Sequence, residues 1–152
     1  MSKTVWKPHT TVAAMCEHDG KFLLVKERIS NRIVFNQPSG HLEPNESLIE
    51  AVVRETLEET QYDFSPTGLL GIYRSTPEDM PEITYLRFLF IGEVGHCFDG
   101  PLDDGIISVH WMSYDDIVSC RDQHRSSLVL NSVDDYINKE PVSLEIFIPK
   151  FR

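Results

Sequence analysis

Between Gly40 and Tyr62 the sequence runs from a glycine turn into a helix that carries three glutamates on one face. Ser47 followed three residues later by Glu50 has the spacing of a capping box, in which each side chain accepts from the other residue's backbone N–H. The helix is therefore expected to start near Ser47, leaving Glu46 just outside it. At about 100° per residue, Ile49, Val53, Thr56, Leu57 and Thr60 fall on one side, the face expected to pack on a sheet. Glu55, Glu58 and Glu59 fall nearly opposite, with small Ala51 among them, and form the expected open face. Like charges at i, i+3 and i+4 repel each other. A multivalent cation is the simplest relief, and hard cations take oxygen ligands. A merely solvated helix face would intersperse Lys or Arg among the acids; here only Arg54 is near.

The flanking segments favour strands. Thr10 to Cys16 and Lys21 to Val25 are β-leaning runs, and Asp19-Gly20 between them is a hairpin signal because glycine accepts the positive φ of a tight turn. Ile33 to Phe35 is a short third strand, after which Pro38 and Gly40 make residues 36–40 a loop. Ser65 to Gly68 reads as a turn, Leu69 to Arg74 as a strand, Pro77 to Pro81 as a polar loop and Ile83 to Val94 as a long strand. A loop over Gly95 to Gly105 leads to a strand over Ile106 to Met112. Ser113 with Asp116 repeats the capping-box spacing before a short helix over Tyr114 to Ser119, and a last helix runs from Ser126 or Ser127 to about Lys139. Val142 to Phe147 is either a strand or an extended tail. Many strands with few helices predict an α+β fold, a mixed sheet flanked by helices, in one domain over residues 1–152.

Charge narrows the partners. With 24 acids against 14 bases the chain carries −10 at neutral pH, which counts against a general binder of nucleic-acid backbone. Small phosphorylated molecules stay open, because a bound metal reverses the local field. Cys16, Cys97 and Cys120 are odd in number and lack CxxC spacing, so they are expected to be inert buried thiols in a reducing compartment. Met1 to His9 has no apolar signal core, and Leu86 to Ile91 is too short to span a bilayer; the expectation is a cytoplasmic protein.

Gly40, Glu46, Arg54-Glu55 and Glu58-Glu59, at intervals of five, seven and two residues, match the Nudix box, and the chain resembles the Nudix hydrolases. Lys7 to Val12, Asn36 to Glu43 and Tyr85 to Phe90 are similar to its NudJ branch of phosphatases, so the likeness covers about residues 7 to 147. The resemblance implies the Nudix fold, a mixed β-sheet sandwiched between α-helices. It also implies hydrolysis of nucleoside tri- and diphosphates and small diphosphates such as that of the thiamine pyrimidine precursor, with Mg²⁺ or, in its place, Mn²⁺. By the same resemblance Glu55, Glu58, Glu59 and the Gly40 carbonyl hold metal and Arg54 orients the glutamates. Two positions depart: Thr56 replaces an apolar residue, and Gln61 stands where a glycine would suit a left-handed cap.

Further candidates come from placement. Arg28 and Arg32, after the second strand, and His41, beside the box glycine, are candidates for substrate contact, as is Arg87, which alternates with apolar neighbours. The bland readings are solvated loop residues for Arg28 and Arg32, a loop histidine with a backbone hydrogen bond for His41, and a surface-facing ion pair for Arg87. Glu46 is either an extra acid of the site or an acid favoured by the helix N-terminus. Asp103 and Asp104 lie in a loop from which a further carboxylate could come. Phe35, Tyr85, Phe88 and Trp111 are read as core. The substrate class is a small phosphorylated metabolite or nucleotide, with no membrane partner, and the size allows a monomer. Two competing readings are a nucleotide sensor without turnover, disfavoured because no box acid is missing, and an RNA-end hydrolase, disfavoured by the lack of a basic stripe.

Overall fold

The computed structural model describes residues 3–148; Met1, Ser2 and residues 149–152 of the expected domain range lie outside the described residues. The chain forms β1 (His9–Met15), β2 (Glu17–His18), β3 (Lys21–Ile29), β4 (Arg32–Asn36), β5 (Ser39–His41), α1 (Leu48–Thr60), β6 (Tyr62–Ser75), β7 (Tyr85–Cys97), β8 (Ile106–Ser113), α2 (Tyr114–Ser119) and α3 (Leu128–Asn138). Short 3₁₀ turns cover Arg121–Gln123 and Leu144–Ile146.

One sheet has the order β5-β1-β7-β6, with β1 and β7 parallel and the other neighbours antiparallel. In the second, β3 pairs antiparallel with β2, β4 and β8. The period-two alternation of β1 sends its side chains to two cores. Val12 and Ala14 pack with Ala51 and Val52 of α1, Phe64, Leu69 and Phe90. Ala13 and Met15 pack with Ile117 of α2, Val129 and Val133 of α3, and Leu89. The mixed sheet is therefore sandwiched between helices, as expected for an α+β Nudix fold.

Several local expectations are corrected. Ser65 to Gly68 is not a turn: β6 runs through it, and the register slips between Pro66 and Gly68, a bulge that absorbs a residue without an N–H on an edge strand. Part of the 36–40 loop is a strand, since Ser39 to His41 pair with β1. Strand β3 continues past Val25 to Ile29, and β7 starts at Tyr85 and ends at Cys97. The tail is neither strand nor extended throughout: Val142 exchanges two backbone bonds with Leu69, at 2.7 and 2.8 Å, before the 3₁₀ turn. Of the cysteines only Cys16 is buried; Cys97 is exposed. Among the described residues no helix is long and apolar enough to cross a membrane.

Candidate active site

Helix α1 starts where the capping box places it. Ser47 Oγ accepts from the Glu50 N–H at 3.1 Å and Glu50 accepts from the Ser47 N–H at 2.6 Å. It ends on Gln61 in the left-handed region, φ 63°, the conformation a glycine would take freely. The Gln61 side chain offsets part of that strain, because its Nε2 donates to the Leu57 carbonyl at 3.2 Å and to the Pro101 carbonyl at 2.9 Å. Thr56 is fully buried, and its hydroxyl turns back to donate to the Val52 carbonyl at 2.7 Å. A polar atom is thus satisfied in an apolar position.

The faces of α1 differ from the expectation. Its buried residues are Ala51, Val52, Glu55, Thr56, Glu59 and Thr60, two adjacent ridges of i, i+4 spacing. Glu55 and Glu59 therefore lie on the buried side with Ala51, not on an open face; Leu57, expected on the sheet, is exposed. Only Glu58 of the three keeps substantial access to solvent.

Backbone and side chains from β5 and α1 meet at this buried edge. The Ser39 N–H donates to Glu59 Oε2 at 3.0 Å. The Glu55 carboxylate lies so close over Gly40 that a Cβ there would fall 2.0 Å from Glu55 Cδ, so any larger residue would displace that carboxylate. Arg54 is the hub. Its Nη1 donates to Glu55 Oε1 at 2.9 Å and Glu58 Oε2 at 3.1 Å, and its Nη2 donates to the His41 carbonyl at 3.0 Å. Glu46 bonds the same guanidinium through both oxygens, at 2.7 and 2.9 Å, and its Oε1 also accepts from the Glu43 N–H. Glu46, the residue before the N-cap, is therefore a partner of Arg54.

Charge is costly here. Burial raises the Glu59 carboxyl to about 9; the Ser39 N–H opposes that rise, and the nearby charges of Glu27, Glu55 and Asp103 add to it. Burial also raises Glu55, opposed by Arg54 and reinforced by Glu58 and Asp103. The hydrogen bond from Arg54 holds Glu46 below its ordinary value. The loop that carries Asp103 is fastened to α1, with Asp103 N–H donating to the Glu58 carbonyl and Phe98 N–H to the Gln61 carbonyl, both at 2.8 Å. Asp103 is thus brought to the acids, while Asp104 lies exposed beside it.

The other candidates scatter. Arg87 is buried in β7, where Nη2 donates to Gln37 Oε1 at 2.9 Å while Nε has no partner; burial lowers it to about 10. Glu27 and Glu59 are among the acids that oppose this fall, so Arg87 faces the site from below. His41 is exposed and stands in edge contact with His9 and Tyr85, with ring centroids 5.8 and 6.1 Å away. Tyr85 is therefore part of a ring cluster at the sheet end rather than core. Arg28 is exposed, its backbone N–H bound to Gly105. Arg32 opens β4 and lines a cavity with Arg121 and Arg125.

Sequence reasoning missed Glu27 and its partners. Buried Glu27 accepts from Asn36 Nδ2 and Arg125 Nη1, both at 3.4 Å, and Asn36 also donates to Ser39 Oγ at 3.2 Å, next to the N–H that holds Glu59. No signal in the sequence announced it, because Phe22, Leu23, Leu24 and Val25 are all apolar and buried and set no alternation that would turn Glu27 inward.

The donor set of Glu55, Glu58, Glu59 and the Gly40 carbonyl is all oxygen, as a hard divalent cation requires. Among the described residues no three His, Cys, Asp or Glu side chains are yet gathered closely enough to grip a metal. The Arg54 guanidinium bonds both Glu55 and Glu58 and so sets their relative placement.

The family model for the NUDIX domain matches residues 6–130. The chain belongs to the Nudix family. It is a Nudix hydrolase, similar to the phosphatase NudJ of Escherichia coli K12, with 37% identity over 144 residues, 93% of this chain and 92% of that protein. A solved NUDIX hydrolase from Nitrosomonas europaea is 44% identical, superposes with a TM-score of 0.91, and matches over 95% of this chain and 98% of that one. The NUDIX domain of Shewanella oneidensis NrtR, solved in complex with ADP ribose, is 16% identical with a TM-score of 0.69 over 90% of this chain and 91% of that one, a likeness of fold.

Proposed function

We propose that this Nudix hydrolase cleaves phosphoanhydride bonds in nucleoside tri- and diphosphates and related small diphosphates, with Mg²⁺ as cofactor, Mn²⁺ substituting, and release of orthophosphate. The observation that carries this is the Glu55–Glu59 pair, two buried acids beside Gly40 and Ser39 whose charged forms burial disfavours and a bound cation would favour. Glu55, Glu59 and the Gly40 carbonyl would hold the metal, with Glu58 at the rim. When bound, it supplies charge neutralisation on the phosphate oxygens and acidifies water. The chain's own residues do the rest. The Ser39 N–H fixes one Glu59 oxygen, and Arg54 fixes Glu55 and Glu58 relative to each other. Glu58 and Asp103 are the acids with solvent access, and one of them takes the proton of the attacking water. Phosphoryl transfer asks for such positioning and electrostatics rather than covalent help.

The similarity to NudJ, a phosphatase, supports the release of orthophosphate. The test is ³¹P NMR of nucleoside di- and triphosphates with Mg²⁺. Orthophosphate is expected from wild type and none from Glu59→Gln. Metal-independent release, or full activity in Glu59→Gln, would sink this reading.

A further inference from the structure

A cavity of about 440 Å³ opens between the β3–β4 turn and the start of α3. Its wall carries Arg32, Arg121 and Arg125 against one acid, Asp122, with Ser126 and Ser127 between them. In a chain of net charge −10 this is a local excess of cations. Arg32 and Arg121 make no side-chain hydrogen bond or ion pair among the described residues. Their donors are thus free to turn inward, and guanidinium forks match phosphate oxygens.

The cavity wall is linked to the acid site by one part-buried chain of hydrogen bonds. Arg125 Nη1 reaches Glu27 Oε1, Asn36 Nδ2 reaches the same oxygen and Ser39 Oγ, and the Ser39 N–H holds Glu59. Arg125 is anchored at its base by its own N–H to the Phe35 carbonyl at 2.9 Å, so the cavity keeps its position relative to β4. A cavity of this size admits more than one phosphate group. We propose that it is an oxyanion subsite, and that it holds a phosphate carried by the substrate at the end remote from the cleaved bond. The occupant rests on the hydrolase reading above; the oxyanion chemistry does not.

Two measurements separate these. In EDTA no metal is present to draw phosphate to the acids of α1, and the shifts are read at the cavity arginines themselves. Phosphate titration followed by arginine Nε–Hε NMR is expected to give saturable shifts at Arg32, Arg121 and Arg125. Affinity should weaken by about ten-fold or more in R32Q/R121Q, which removes charge-assisted bonds from two exposed side chains. The second measurement, with Mg²⁺, is the ratio of kcat/KM for adenosine 3′-phosphate 5′-diphosphate over ADP. The ratio should favour the 3′-phosphate by about ten-fold and fall towards unity in the double variant. No shifts in wild type, or equal shifts in R32Q/R121Q, overturn the subsite. Phosphate shifts with the same ratio in both proteins assign the cavity to free phosphate and overturn the substrate occupant. Cavity shifts without turnover of any nucleotide sink the hydrolytic reading and leave the oxyanion subsite standing.

Discussion

Arg54 grips Glu46 with two prongs, Nη2 to Oε1 at 2.7 Å and Nε to Oε2 at 2.9 Å, and so turns its remaining nitrogen towards Glu55 and Glu58. Glu46 acts on the helix acids only through this arginine. Glu46→Gln keeps the shape but loses one charged acceptor, so the guanidinium is held less firmly. We expect kcat to fall by about 10- to 100-fold, the range for partners that orient ligands, with a small change in thermal midpoint. Steady-state phosphate release beside a melting curve checks it, and an unchanged kcat would remove Glu46 from the site.

Gly40→Ala tests the tight approach of Glu55. The clash is with the far end of a flexible side chain, so Glu55 swings away and the fold survives. Displacing a reacting group by about 1 Å costs on the order of 100-fold in rate. We expect that loss with a thermal midpoint close to wild type. Metal affinity by calorimetry should fall in parallel; wild-type affinity would show that Glu55 is not a ligand.

Glu59 makes metal-free stability depend on pH. Its carboxyl titrates near 9 in the fold and near the ordinary 4.3 of glutamate in the unfolded chain, so the folded form binds the proton more tightly. That stabilisation is complete below about pH 4 and is lost as pH rises through about 9, at most about 1.4 kcal/mol per unit. In EDTA the urea midpoint of wild type should decline across this window and that of Glu59→Gln should decline less. Mg²⁺ should restore wild type at the alkaline end. Parallel declines in the two proteins would refute the assignment.

Arg87 is a buried cation with one hydrogen bond and an orphaned Nε. An apolar side chain of similar length removes the desolvated ion but strands the buried Gln37 Oε1 and takes a positive charge from near Glu27 and Glu59. Arg87→Met should therefore melt lower than wild type, at a cost of about 1 to 3 kcal/mol. If the Nε serves substrate, KM rises by about ten-fold, the worth of one charge-assisted bond. A destabilised variant with unaltered KM would make Arg87 a purely structural residue.

Gln61→Gly should be nearly neutral. It relieves a left-handed side chain, worth about 1 kcal/mol, and gives up the bonds to Leu57 and Pro101, worth about as much. Gln61→Val keeps the strain and loses the bonds, and should cost about 2 kcal/mol in urea titration. Equal stability of the two variants would contradict this account.

What the sequence made legible was local. Ser47 and Glu50 announced the start of α1, and hence the rotational phase of every glutamate after them, because capping is decided within four residues. The burial of those glutamates was not legible. Hydropathy places acids outward, and an inward Glu59 is held by the Ser39 N–H, contributed by a strand 20 residues away, while Glu55 is held by its neighbour Arg54, whose direction Glu46 sets. Glu27 was hidden for a related reason: between Lys26 and Arg28 it looks like one more solvated charge, and its partners Asn36 and Arg125 lie 9 and 98 residues away. Pro66 misled in the other direction, since a proline that suggests a turn is also accommodated by a bulge on an edge strand.

The ties between the end of α1 and residues 98–103 bear on motion. Backbone bonds at Glu58 and Gln61, with the Gln61 side chain reaching Pro101, fasten that segment to the helix at three points. The segment therefore travels as one rigid piece with the glutamates instead of swinging over them. Asp103 is thereby moored beside the glutamates, and any rearrangement of this edge must carry helix and segment together.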